Sequence, residues 1–306
     1  MASVNAPASA AGGSGNPGQR DWLAAYIFLA PAAAIFAALI AYPFADGIAT
    51  AFTNKAVARP GEYTGFANFV SLMSDSHFAT AAVNSLVLTV CVVAIKAVLG
   101  MASAVLLSQP MPMRGFVRAL VFLPWAVPGL IAGLSWKWIF DEQAGVLSAV
   151  LIALGLADQP IYWLSDPTLA MFSIGMAMVW HGLPFFTMMF LAALTAIPGE
   201  LNEAAALDGA SVFRRFWSVT LPQMREVISI TVMLSAIWTF NSFHMVFILT
   251  GGGPAMRTHI LPTLAYEYGI TQSKLGLGSA VLVFVMPVFL VLIVLLTRRM
   301  LQSQTR

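Results

Sequence analysis

The chain has 306 residues, of which 59% are hydrophobic and 9% charged, with a net charge of +2 and a mean hydropathy of +0.83. Soluble domains carry roughly a quarter charged residues, so this composition excludes a soluble enzyme and marks a membrane protein. The 15 basic residues form no stripe able to neutralise a nucleic-acid backbone, and the single cysteine, Cys91, can build neither an intrachain disulfide nor a thiolate metal cluster.

Residues 1–20 are rich in Ala, Gly, Ser and Pro and bury too little apolar surface to offset chain entropy, so a disordered tail is expected ahead of a membrane domain over 21–306. A cleaved signal peptide is the competing reading of this end; the apolar run after Arg20 exceeds the roughly 7 to 15 residues of a signal core. Crossing about 30 Å of hydrocarbon takes about 20 helical residues. Six apolar runs meet that need: Trp22 to Phe44, Ala82 to Leu107, Phe116 to Phe140, Thr168 to Ile197, Val227 to Leu249 and Gly276 to Thr297. An all-α, multi-pass protein with six transmembrane helices is predicted. With the N-terminus inside, Arg20, Arg114, Arg118, Arg214, Arg215, Arg225, Arg298, Arg299 and Arg306 lie on the inner side. Lys55, Arg59, Lys137, Arg257 and Lys274 lie outside. This asymmetry places both termini in the cytoplasm, at the plasma (inner) membrane.

Lys96 falls near the middle of the second run, where a cation is costly. It either faces a wet interior or a neighbouring subunit, or serves an ion relay, although no Asp or Glu lies within a span core to exchange a proton. In the third run Pro124, Trp125 and Pro128 predict a bend, and Gly129 with Gly133 permits close helix packing. The fourth contains Trp180-His-Gly-Leu-Pro-Phe185, in which Pro184 frees a backbone carbonyl and Gly182 allows close approach.

The segment 198–222 between the fourth and fifth runs reads as two short helices around a corner. Pro198 suits a first helical turn, Glu200 and Glu203 complement a helix N-terminus, and Gly209 supplies a left-handed end. Ser211 caps the second helix, which Leu221-Pro222 is expected to stop. Phe213, Phe216 and Trp217 fall at i, i+3 and i+4 and form one apolar face flanked by Arg214 and Arg215. That face either lies against lipid headgroups or docks in a groove of a cytosolic partner. In the fifth run Ser235, Trp238, Thr239 and Ser242 share a face, either bonding a neighbouring helix or lining a pathway. Gly251-Gly-Gly-Pro254 reads as the external turn that follows. None of the four lysines follows a glycine, so a Walker A loop is absent and this chain does not hydrolyse ATP itself.

Glu203-Ala-Ala, Asp208-Gly209-Ala210 and Leu221-Pro222 resemble the EAA signature of binding-protein-dependent ABC importer permeases. Ala192 to Pro198 and Leu249 to Pro254 are similar to the sugar-uptake branch, of the maltose and glycerol-phosphate permease type. So are Gly65-Phe-Ala-Asn-Phe69, Asn84, Arg118 before Leu123-Pro124, and Gly278 with Ala280. The resemblance implies a type I ABC importer permease fold with cytoplasmic coupling helices. It implies a second permease subunit, two ATP-binding subunits that hold ATP and Mg, an external solute-binding protein and a sugar substrate, with no cofactor on this chain. Coupling would fall to Glu203, Ala204, Ala205, Asp208, Gly209, Phe213, Phe216, Leu221 and Pro222. A sugar is held by aromatic faces and by amide or hydroxyl groups. The resemblance assigns that work to Trp180, His181 and Phe185 in the fourth run and to Trp238 and Thr239, beside Ser235 and Ser242, in the fifth. Met178 and Val179 stand where the maltose permease type carries an Asn pair, so the pocket is expected to differ. No catalytic or metal-binding set is expected. The alternative is an ion-coupled secondary transporter using Lys96 and His181, which leaves the corner at 198–222 unexplained. An intramembrane enzyme is more remote still, lacking a paired Asp, HExxH or Ser-Lys set.

Overall fold

A computed structural model describes residues 17–304. Residues 1–16 of the expected tail lie outside the described residues, while Pro17 to Arg20 open the first helix. The chain divides into two units, residues 1–49 and 50–306, described separately.

In the first unit, α1 (Pro17–Phe36) passes through a π turn, Ala37–Ala41, into α2 (Tyr42–Ala51). The N–H of Tyr42 bonds the carbonyl of Ala37, five residues back. The wider turn sits just before Pro43, which has no N–H and whose ring would crowd a regular turn, so the helix survives the proline. Ala25–Ala51 is long and apolar enough to cross a membrane, which extends the expected first span beyond Phe44.

The second unit begins with a loop tied down by Asn68, whose Nδ2 donates to the carbonyls of Ala51 and Thr53 at 2.8 Å each. Gly65 turns the chain at φ +59° into α3 (Ala67–Met73). α4 (Ser76–Ser108) starts at Asp75, which accepts the N–H of His77 at 2.8 Å. At its far end Arg114 reaches the carbonyls of Leu107 and Ser108 at 3.1 and 3.2 Å, placing a cation at the helix C-terminus.

The third expected span is not one helix. α5 (Arg114–Ala126) and α6 (Gly129–Ile139) meet at 91°. Val127 precedes Pro128 and is extended (ψ 126°), so the helical path is broken there and resumes in a new direction. The close packing expected of Gly129 and Gly133 is present: a Cβ on them would come within 2.6 Å of His244 and 3.0 Å of Ile248. α7 (Val146–Ala153) follows, then α8 (Pro167–Ala196), capped by Asp166 on the N–H groups of Thr168 and Leu169. α8 runs unbroken through Pro184.

At the corner, α9 (Gly199–Leu207) takes Pro198 as its cap, one position earlier than the expected first turn. Gly209 adopts φ +78°, and the Ser211 hydroxyl accepts the N–H of Arg214 at 3.3 Å to start α10 (Val212–Arg215). Contrary to expectation, Leu221-Pro222 does not stop this helix. A π turn, Phe216–Thr220, carries it into α11 (Leu221–Phe240), the Leu221 N–H bonding the Phe216 carbonyl. This repeats the device seen before Pro43. α11 then bends by 44° into α12 (Phe243–Leu249).

Asn84 donates to the carbonyls of Arg257 and His259, and the Ser85 hydroxyl accepts the Leu261 N–H, so the 250–260 turn is pinned onto α4. α13 (Leu261–Tyr266) leads through a π turn, Glu267–Thr271, to α14 (Leu275–Gln304). Gly278 of α14 lies so close to Gly269 that a Cβ would sit 2.6 Å from its Cα. The Tyr268 hydroxyl donates to Asp75; burial, with that carboxylate beside it, pushes the phenol well above its ordinary value.

Among the described residues Ala25–Ala51, α4 and α8 are each long and apolar enough to cross a membrane, and the two bent pairs raise the number to five. The apolar part of α14, Leu275–Val291, is shorter. Each of the six expected runs thus falls on a helix or a bent pair. α4, α8 and α11 pack together through Val93, Ala104, Phe186, Phe190 and Met224.

Candidate functional site

Between α4, α8 and α11, closed at one side by the α5–α6 break and by α12, lies a cavity of about 180 Å³. Its lining combines ring faces (Trp125, Phe185, Trp238), hydroxyls (Ser235, Thr239, Ser242), two imidazoles (His181, His244) and Lys96, with Met178, Gly182 and Met245 completing the wall. Six of the seven residues expected to hold substrate therefore meet in one cavity: His181, Phe185, Ser235, Trp238, Thr239 and Ser242. Trp180 is the exception. Its ring packs edge-on against Trp136 at 5.7 Å, in the apolar cluster around Phe140 and Trp163, and it is absent from the cavity wall.

Helical spacing explains the division. Met178, His181, Gly182 and Phe185 stand at i, i+3, i+4 and i+7 and share one face of α8, whereas Trp180 projects from another. Phe185 and Trp238 bring their rings to 5.0 Å at 58°, joining α8 to α11. Trp238 lines the cavity and remains 53% exposed.

His181 has a backbone partner: its Nε2 lies 3.0 Å from the carbonyl of Val127, which can only accept, so Nε2 carries the hydrogen. That carbonyl lies at the α5–α6 break, where helical hydrogen bonding is interrupted. His181 thus seals the break and turns Nδ1 away as the free ring atom.

Lys96 is the largest departure from the expected site. It is 5% exposed, and its Nζ donates to Ser235 Oγ and Thr239 Oγ1 at 3.0 Å each. The Phe186 ring centroid lies 5.8 Å from Nζ. A Cβ on Gly182 would approach the Lys96 Cδ at 2.9 Å and Nζ at 3.0 Å, so a bare backbone at 182 makes room for this side chain. The sequence singled out Lys96 as an intramembrane cation without connecting it to the polar face of the fifth run. Trp125 and His244 were also missed; their membership depends on the break in α5–α6 and the bend at Asn241-Ser242.

The corner has the opposite character. Glu203, Ala204, Asp208, Gly209, Phe213 and Pro222 are exposed, Ala205, Phe216 and Leu221 half-buried, and Leu207 is 90% exposed. Phe213 and Phe216 lie 6.0 and 5.9 Å from Trp217, forming the expected apolar cluster. Arg215 binds the Asn202 carbonyl at 3.4 Å and fastens α10 to α9. Phe213, Phe216 and Trp217 also face Val98, Met101 and Val105 of α4 across an open apolar groove. Among the described residues no group of three His, Cys, Asp or Glu gathers to hold a metal ion.

Residues 96–304 match the family described as the binding-protein-dependent transport system inner membrane component. The chain belongs to that family. This permease is 35% identical over 219 residues to the trehalose/maltose transport system permease protein MalF of Thermococcus litoralis, covering 72% of this chain and 73% of that one. It is 34% identical over 274 residues to the diacetylchitobiose uptake system permease protein DasB of Streptomyces coelicolor, covering 88% and 84%. Its fold is similar to a crystal structure of a bacterial ABC transporter involved in the import of the acidic polysaccharide alginate. The TM-score is 0.78 at 23% identity, over 92% of this chain and 95% of that one. The permease is thus a multi-pass membrane component of a binding-protein-dependent transport system with the fold of an ABC importer permease. The matched region includes both the cavity and the corner.

Proposed function

We propose that this permease forms half of the translocation pathway of an ATP-driven carbohydrate importer. It pairs with a second permease subunit, takes cargo from an external solute-binding protein and is driven by two cytosolic ATP-binding subunits that hold ATP and Mg. Both termini and the 198–222 corner face the cytoplasm, in keeping with the distribution of Arg and Lys. The observation that carries the carbohydrate reading is the cavity wall, where free ring faces of Trp238 and Trp125 stand beside the hydroxyls of Ser235, Thr239 and Ser242. Ring faces suit the C–H surfaces of a sugar and hydroxyls suit its OH groups. The names of the relatives, for trehalose/maltose and for diacetylchitobiose, support the same class.

Glu203, Ala204, Ala205, Asp208, Gly209, Phe213, Phe216, Leu221 and Pro222 form the surface that docks on an ATP-binding subunit. Exposed Phe213, Trp217 and Leu207 on a short helical corner are the anchors a partner groove takes up. With no Walker A lysine in the chain, ATP is hydrolysed on the partner.

The test is uptake by the complete importer in proteoliposomes. Sugar entry is expected to require ATP on the side of the corner and to survive collapse of proton and sodium gradients. Entry without ATP, driven by a gradient, would establish the secondary-transporter reading instead.

A further inference from the structure

Resting on the carbohydrate-importer reading, we infer that Lys96 is a specificity determinant of the cavity and that the carbohydrate carried bears an oxyanion. An ammonium group has three N–H donors. Two are spent on Ser235 and Thr239, and the third is left for the cavity. The two hydroxyls accept from Lys96 and make no further hydrogen bond among the described residues, so their own hydrogens are also available. Three donors thus converge on one spot of the wall, an arrangement complementary to a carboxylate, sulfate or phosphate group.

Among the described residues no carboxylate pairs with this cation. The cavity lining contains no Asp or Glu. α4 and α8 carry none at all, and the one carboxylate of α11, Glu226, sits about 13 Å along the helix from Ser235 and is exposed. A cation buried to 5% exposure at membrane depth needs a counter-charge. A mere tie between α4 and α11 needs only a neutral donor such as Asn or Gln. Gly182 preserves space for the ammonium, and the Phe186 ring lies at a distance that favours a cation. With Phe185, Trp125 and Trp238 beside it, the spot accepts a molecule that presents apolar ring faces and one negative group.

The complete importer, with its own solute-binding protein, is reconstituted in proteoliposomes. It is offered an equal mixture of the neutral oligosaccharides of partly hydrolysed starch and chitin with the uronate-bearing oligosaccharides of pectin and alginate. Glucose 6-phosphate and glucose 6-sulfate are included, and the sugars that enter with ATP are identified by mass spectrometry. The wild-type importer is expected to take up acidic members at least tenfold faster than neutral ones. Lys96→Gln is expected to lose at least tenfold of the acidic uptake, and Lys96→Arg to keep most of it, in complexes that co-purify with all subunits. ATP-dependent uptake of neutral sugars alone would overturn the inference and leave the importer reading standing, as would wild-type acidic uptake by Lys96→Gln. No ATP-dependent uptake of any sugar would overturn both. The wild-type experiment decides the nature of the cargo even where Lys96→Gln does not assemble.

Discussion

The cavity and the corner solve opposite problems. In the cavity, polar groups are turned inward and partnered: buried Lys96 on Ser235 and Thr239, half-buried His181 on the Val127 carbonyl. At the corner, apolar groups are turned outward: Phe213, Trp217 and Leu207 are exposed while Ser211 caps the Arg214 N–H and Gly209 turns the backbone between the two helices. A buried polar wall suits a ligand that comes and goes, because its groups are held ready and water can replace the cargo. An exposed apolar face on a rigid corner suits a lasting partner, because it is stable only when covered.

The comparison is broken most forcefully at Gly209. Proline is held near φ −65° and cannot take the observed +78°, so Gly209→Pro disrupts the corner. ATP-dependent uptake is expected to fall about 100-fold or more, close to 2.7 kcal/mol of coupling, while the subunits still co-purify and the cavity residues are untouched. Unchanged uptake would mean that the corner transmits nothing.

The cavity is sharpened by two tryptophans, Trp180 and Trp238, far apart in sequence but similar in chemistry. Trp238→Ala is expected to raise the uptake KM about tenfold, since it removes a ring face open to the cavity. Trp180→Ala removes packing against Trp136 instead. It is expected to lower the melting temperature of the complex by the equivalent of a few kcal/mol without a comparable change in KM. The reverse pattern, read by uptake kinetics and thermal unfolding, would relocate the substrate to the other face of α8.

The smallest effect belongs to Ser211→Ala. Loss of the bond to the Arg214 N–H removes an N-cap worth about 1 kcal/mol. Because α10 continues into α11, the helix is expected to persist and uptake to fall only by about two- to threefold. Circular dichroism and uptake measured together separate this mild fraying from the loss expected at Gly209.

The corner was legible because its causes are local: a cap, a left-handed glycine and an i, i+3, i+4 spacing lie within a dozen residues. The continuation through Pro222 was not, because a wider turn placed just ahead of a proline is a property of the backbone that residue types alone do not reveal. The face carrying Ser235, Trp238, Thr239 and Ser242 could also be read from spacing. Its meeting with Lys96, 139 and 143 residues earlier, required the packing of α4 on α11. In the fourth run the same spacing rule, applied more strictly, separates Trp180 from His181 and Phe185. The prolines of the third run announced a bend, while its size, 91°, and the seating of α6 on α12 are tertiary properties that residue types do not specify.

The turn at Phe216–Thr220 has a mechanical meaning. Since it spares the helix from ending at Pro222, a single rod about 40 Å long connects Val212 with Thr239. On the proposed roles, a grip on its lower end would also be a lever on the cavity wall that carries Ser235 and Thr239.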